Sequence, residues 1–141
     1  MERKQQFNKV MSESVNMALA TSMGDKPNVR IITFAYDEKK EGRVFFTTFK
    51  GNQKIKEFEK NSQVACMPLP KEVETDEQVR FFGTVRESDI SMDEIVSMIS
   101  KKYPEGADTI SQGGDMMGIY EICFKEAFVT ICMNEAQKLV F

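Results

Sequence analysis

The sequence predicts a mainly β protein, an antiparallel barrel with short helices, folded over residues 1–141 as a single domain. Three observations predict it. Segments of β-branched and aromatic residues follow one another closely, separated by turn-forming Gly, Pro, Asp and Asn. Only three stretches change to helical spacing, too few to supply the crossovers of a parallel sheet. A length of 141 residues, 41% hydrophobic and 29% charged, is enough for one packed core and short for two.

Taken in order, Arg3 to Met11 places Phe7, Val10 and Met11 at helical spacing, so a short amphipathic helix opens the chain. Val15 to Ser22 alternates apolar and small residues before a turn around Gly24 and Pro27, and reads as the first strand. Val29 to Tyr36 and Arg43 to Phe49 are β-branched and aromatic, with the charged D-E-K-K-E-G between them as a hairpin loop. These three strands are expected to form an antiparallel meander. From Gly51 to Lys60 the period becomes helical, with Ile55 and Phe58 on the buried face and Lys54, Lys56, Glu57 and Lys60 solvated. Gln63 to Leu69 and Gln78 to Arg86 are strand-like, with the polar K-E-V-E-T-D-E loop between them. Ser91 with Glu94 has the form of a capping box, and Met92, Ile95, Met98 and Ile99 mark a helix to Lys102. Pro104 and Gly106 are expected to stop that helix. G-A-D-T-I-S-Q-G-G-D then reads as a flexible stretch, and Gly118 to Phe124 and Ala127 to Met133 as a last pair of strands. The amphipathic tail N-E-A-Q-K-L-V-F is suited to docking on the barrel or on a partner.

Bulk chemistry removes whole classes of function. A net charge of -3 leaves no electrostatic footprint for DNA or RNA. The start M-E-R-K-Q-Q-F lacks the apolar core of a signal peptide, and no apolar run is long enough to cross a bilayer, so a cytoplasmic protein is expected. Cys66, Cys123 and Cys132 fall in strand-like segments without C-x-x-C spacing and read as reduced, buried thiols. The chain has no histidine, which removes Ser-His and Cys-His nucleophile pairs and His-based zinc or haem sites together. The acidic loop from Glu72 to Glu77 lacks calcium-loop spacing. No metal site is expected, and redox chemistry would have to come from a cofactor.

One constellation suits an anionic cofactor. Lys54 and the backbone amides near Asn52 stand at the start of a helix, where unsatisfied N–H groups and the macrodipole favour an anion. Arg30, on the strand expected to neighbour this turn, can offer a two-pronged fork to the same phosphate, and should count for more than the flexible Lys54. Thr47 and Thr48 come just before the turn, so that one hydroxyl faces the anion. Each feature alone has an ordinary structural explanation: Gly51-Asn52 a turn and helix cap, the threonines strand residues, Lys54 and Arg30 solvated cations. Their joint occurrence in this order carries the reading.

That order resembles the pyridoxamine 5′-phosphate oxidase-like family of flavoproteins. There an Arg is followed by apolar residues on one strand, then by an aromatic-Thr pair, then by a Gly-Ser/Asn-x-Lys turn opening a helix. This chain supplies Arg30-Ile31-Ile32-Thr33, Phe46-Thr47-Thr48 and Gly51-Asn52-Gln53-Lys54, and Gln78 stands where the family has a polar residue opening a later strand. The resemblance runs from Val15 to Gly83 and is topological beyond. It implies an antiparallel Greek-key split barrel that binds FMN and works as a homodimer, the flavin lying in a cleft between subunits. It further implies that Arg30 and Lys54 bind the phosphate, that Thr47, Thr48 and Asn52 add hydrogen bonds, and that Ile31 to Thr33 lie along the ribityl chain and ring. Phe46, Gln53 and Gln78 complete the implied cofactor set. True pyridoxamine phosphate oxidases carry an Arg-x-His element near the C-terminus, which a chain without histidine cannot have, so that specific activity is not expected. The implied function is a flavin-dependent oxidoreductase acting on a small molecule by hydride or electron transfer. The alternatives are a non-catalytic flavin-binding or sensory protein, a family member using a deazaflavin or other ligand in the same cleft, or haem held by Met, Cys or Tyr. No residue reads as a dedicated catalytic acid or base.

Overall fold

Six strands form a curled path whose two ends do not pair in a ladder, so the barrel stays open along one seam. In a computed structural model that describes residues 2–72, 75–130 and 135–141, the elements follow as α1 (Arg3–Glu13), β1 (Asn16–Met23), β2 (Lys26–Thr33), β3 (Arg43–Phe49), α2 (Gln53–Lys60), β4 (Gln63–Pro68) and β5 (Gln78–Glu87). Then come α3 (Met92–Ser100), α4 (Pro104–Gly113), a turn of 3-10 helix, β6 (Met117–Cys123), β7 (Glu126–Thr130) and β8 (Gln137–Val140). The hydrogen-bonded order is β2-β1-β4-β5-β6-β3, every pairing antiparallel, with β7 and β8 continuing from the first half of β5. This is a curled, mainly β architecture with short helices, as the sequence predicted. Among the described residues no helix is long and apolar enough to cross a membrane.

Alternation decides which side chains face inward. Met17, Leu19 and Thr21 of β1, Val64 and Cys66 of β4, and Val79, Phe81 and Val85 of β5 are buried, while their neighbours along each strand are more exposed. They join Phe7 and Met11 of α1, Phe58 of α2 and Phe124 in the main core. Strand β3 is different, because Val44, Phe45 and Phe46 are buried in succession. Both of its faces are covered: Val44 and Phe46 enter the barrel, and Phe45 packs under Ile95, Ile99, Ala107 and Ile110 of the α3–α4 pair. The two cores are tied by Lys102, whose ammonium lies 3.6 Å from the centroid of the Phe34 ring and donates to the Ser14 carbonyl at 2.7 Å. Burial pushes its pKa down to about 7.

Strand β5 serves two neighbours along one edge, Val129 and its flanks in β7 first, then Ile122 and its flanks in β6. The change of partner falls at Gly83, where any Cβ would stand 2.4 Å from the Cys123 carbonyl oxygen. Only glycine lets the backbones approach so closely. Beside it, Glu121 of β6 accepts from Arg43 of β3, Arg86 of β5, Ser88 and the Cys123 thiol. Burial opposes ionisation of this carboxyl, but those donors outweigh it and hold its pKa down at about 2.

Several sequence expectations are corrected. The meander stops after two strands: β2 does not form a ladder with β3, and one isolated bridge links Ala35, just beyond the end of β2, to Phe45 of β3. The chain diverges because the Tyr36 hydroxyl is drawn to Asn8 under α1 and its ring to Phe7, while Arg43 is drawn to Glu121 on the other side. Helix α3 stops before Pro104 as expected, but the G-A-D-T-I-S-Q-G-G-D stretch expected to be flexible lies mostly in helix α4, and the residue that opens that helix is Pro104. It stands at the first helical position, where a missing N–H costs nothing, and Ala107 and Ile110 then face α3. Gly106 fits beneath the Tyr103 ring, which a Cβ would meet at 2.3 Å. The Ser91 hydroxyl caps α3 through the Glu94 N–H as expected. The tail docks on the barrel as β8, with Leu139 and Phe141 packed against the core. Cys66 is buried and Cys123 half-buried, both unpaired, whereas Cys132 and the end of the strand predicted to Met133 lie outside the described residues.

Candidate functional site

Where the strand path fails to close, a groove of ≈ 370 Å³ opens between β2 and β3. One wall is Ile31, Ile32 and Thr33, and the other is Thr47, Thr48 and Phe49. The start of α2 closes one end with Asn52 and Lys54, while Tyr103, α4 and Met117 border the other side. Ile31 is 63% exposed at the rim, and the lining mixes apolar side chains with the hydroxyls of Thr33, Thr47, Thr48 and Thr109, its one charged side chain among the described residues being Lys54 at the α2 end.

Sequence fixes that polar end locally. Gly51 takes φ +85, a left-handed conformation other residues avoid, and turns the chain out of β3. Asn52 then caps α2, its side-chain oxygen accepting from the Lys54 N–H at 3.0 Å. Two residues on, the Lys54 ammonium is folded back over the turn and donates to the Thr48 hydroxyl at 3.0 Å. Burial lowers the Lys54 pKa, the Arg30 charge lowers it further and Glu57 partly opposes both. Among the described residues Lys54 makes no ion pair, which leaves a desolvated cation facing the groove.

Arg30 lies beside this end but its fork is engaged. Its Nη2 donates to both oxygens of Glu57, at 2.7 and 2.8 Å, and its Nη1 donates to the Thr21 hydroxyl at 3.0 Å. Glu57 accepts in addition from Asn28 at 3.1 Å and Thr21 at 3.3 Å. Burial alone would raise the Glu57 pKa, but the Asn28 hydrogen bond, the Arg30 charge and the remaining donors outweigh it and lower it. The expectation that Glu57 is a solvated helix residue is therefore wrong, since it is 5% exposed. The sequence offers no local sign of this pair, whose members are 27 positions apart.

The structure thus gathers Ile31, Ile32, Thr33, Thr47, Thr48, Asn52 and Lys54 in one groove, as the sequence pattern expected. Arg30 adjoins it with its fork turned to Glu57. Phe46 is in the barrel core, stacked on Tyr120 at 5.8 Å between ring centroids, and presents no side chain to the groove. Gln53 is exposed and outside the lining. Gln78 is exposed at the start of β5, opposite Thr130, away from this groove within the same chain. Tyr103, Thr109 and Ile110 escaped the sequence reading because they flank or belong to α4, which its glycines disguised. A larger cleft of ≈ 650 Å³ lies on the outer face of β1, β4 and β5 beside Phe82, but no charged side chain lines it.

Comparisons with known proteins agree with this architecture. The model of a family described as pyridoxamine 5′-phosphate oxidase-like matches residues 10–136. No curated protein matches the chain. Among solved structures, a putative pyridoxamine 5′-phosphate oxidase from Listeria innocua is similar at 17% identity, covering 91% of this chain and 98% of its own, with a TM-score of 0.70. HutZ, a heme storage protein from Vibrio cholerae, is 20% identical over 92% of this chain and 96% of its own, also at 0.70. A Clostridium acetobutylicum protein related to general stress protein 26 is 11% identical over 100% and 97%, at 0.74. At such identities the likeness is one of fold.

The two cations should separate in a stability measurement. Arg30→Ala leaves the Glu57 carboxylate buried without its cation and should cost about 3–5 kcal/mol. Lys54→Ala removes no ion pair and should stay within about 1 kcal/mol of the native protein. Urea denaturation of both variants checks this, and equal losses would show that the Arg30–Glu57 pair does not carry the difference.

Proposed function

The chain belongs to the pyridoxamine 5′-phosphate oxidase-like family, and from that footing we propose that the seam groove binds FMN and that the protein is a flavin-dependent oxidoreductase acting on a small molecule. The observation that carries the reading is Lys54: a half-buried ammonium without an ion pair among the described residues, held by Thr48 at a capped helix start, at one end of a groove lined by isoleucines and threonines. Such an end suits a phosphate. In this reading Lys54 and the Thr48 hydroxyl hold the phosphate, Asn52 keeps the turn in shape, and Thr33 and Thr47 offer hydroxyls along the ribityl chain. Ile31, Ile32 and Met117 exclude water from the ring. Flavin supplies hydride or electron transfer when bound. The described side chains around the groove add no carboxylate acid or base, so their work is binding and orientation.

The same reading includes a homodimer. The outward residues Ala18, Ala20, Val29, Ile31, Ala65, Met67 and Phe82 come into register across β2, β1, β4 and β5, forming an apolar sheet face that runs up to the groove wall at Ile31. A second copy seated there would bury this face and roof the groove, in a symmetric arrangement. Light scattering should return the mass of two chains, and the mass of one would refute the proposal.

Haem is the second ligand to weigh, because the similar HutZ fold is that of a heme storage protein. This chain has no histidine to offer as an axial ligand, and Met117 and Tyr103 are the groove residues of other ligating types. Flavin fluorescence titration separates the readings. FMN should bind at least ten-fold more tightly than riboflavin, and Lys54→Ala should remove most of that difference, since one charge-assisted hydrogen bond is worth roughly 1.5–3 kcal/mol. Equal affinities for FMN and riboflavin in the native protein would show that the Lys54 end is no phosphate site.

A further inference from the structure

We propose that Glu57 is the specificity-determining residue of the groove: by engaging Arg30 it withholds that cation from the ligand, so that Lys54 alone supplies charge to the phosphate. The inference rests on the flavin reading above and adds to it a device belonging to this chain's own residues. Four observations support it. The Arg30 Nη2 donates to both Glu57 oxygens at 2.7 and 2.8 Å and its Nη1 to the Thr21 hydroxyl, so both terminal nitrogens that could reach a phosphate are engaged within the protein. Glu57 is itself fixed by Asn28 and Thr21, so the carboxylate is not a loosely held surface group that a ligand could displace at no cost. The side chains are 19% and 6% exposed, which leaves little solvent to screen the pair. Finally, Arg30 and Lys54 are close enough for one charge to disfavour the other.

The charge count follows. Arg30 and Lys54 contribute two positive charges and Glu57 one negative, leaving a single net positive charge for a phosphate monoester that carries up to about two negative charges. Without Glu57 the same cradle would hold two cations and a fork. Arg30 is then a positioning residue in the native protein: it holds Glu57, and through it ties α2 to β2, instead of gripping the ligand.

The test compares the full-length native protein with Glu57→Gln and with the double variant Arg30→Gln/Glu57→Gln. Glutamine keeps the shape of Glu57 and one of its two accepting oxygens but not its charge. For Glu57→Gln the ratio of FMN to riboflavin affinity should rise about ten-fold or more, with riboflavin affinity itself unchanged. Inorganic phosphate should raise the Tm of that variant at concentrations that leave the native Tm unmoved. For the double variant, which removes both charges together and avoids a stranded one, the ratio should equal that of the native protein. A ratio that is unchanged in Glu57→Gln would overturn the proposal, and so would a ten-fold fall in the double variant, since Arg30 would then be serving the ligand already. If Glu57→Gln does not fold, the double variant decides alone. Flavin binding by neither protein, with phosphate still stabilising Glu57→Gln, would sink the flavin reading and leave Glu57 as the residue that masks an anion site.

Discussion

The arrangement of this protein depends on the ion pair between Arg30 and Glu57. Arg30 stands on the strand that begins the path around the barrel, and Glu57 stands on the helix that follows the strand ending it. Those two strands form no ladder, and one isolated bridge links them just beyond the end of the first, so the pair and the Phe58 side chain beside it do much of the work that a ladder of hydrogen bonds does elsewhere. An ionised pair this deep is stable only when its remaining lone pairs and protons are satisfied. Asn28 and Thr21 satisfy them here.

An open seam is what makes room for a ligand. Had β2 and β3 formed a full ladder, Thr33 and Thr47 would face each other with no space between. Instead the chain is pulled apart by two anchors, Tyr36 under α1 and Arg43 on Glu121, and the gap is floored by the α2 turn. The buried carboxylates Glu121 and Glu57 are both engaged in holding the fold. Glu121 takes two arginines and Glu57 takes one, each with its pKa lowered by its donors. Lys54 is the exception, and its position at the end of the groove gives that exception its meaning.

Much of this was legible in the residues. Alternation located β1, runs of strand-forming residues located β3, β4 and β5, and Gly51-Asn52-x-Lys54 marked a capped helix start that the structure bears out. The same local signals brought Ile31 to Thr33, Thr47, Thr48, Asn52 and Lys54 to one place. What escaped was non-local. The hairpin expected between Tyr36 and Arg43 failed because its two ends are claimed by partners more than 25 positions away, Asn8 and Glu121, which no short window contains. Glu57 looked solvated because its cation is far away in sequence. Helix α4 was hidden by Pro104 and Gly106, residues that break helices in their interiors and are harmless at a first turn or under an aromatic ring.

A crystal structure of the protein grown with FMN tests the account most directly. The account predicts the phosphate within hydrogen-bonding distance of Lys54 Nζ and the Thr48 hydroxyl, the ring along Ile31 and Ile32, and Arg30 still paired with Glu57. Density for the flavin in the cleft beside Phe82, or a phosphate seated on Arg30 with Glu57 turned away, would contradict it.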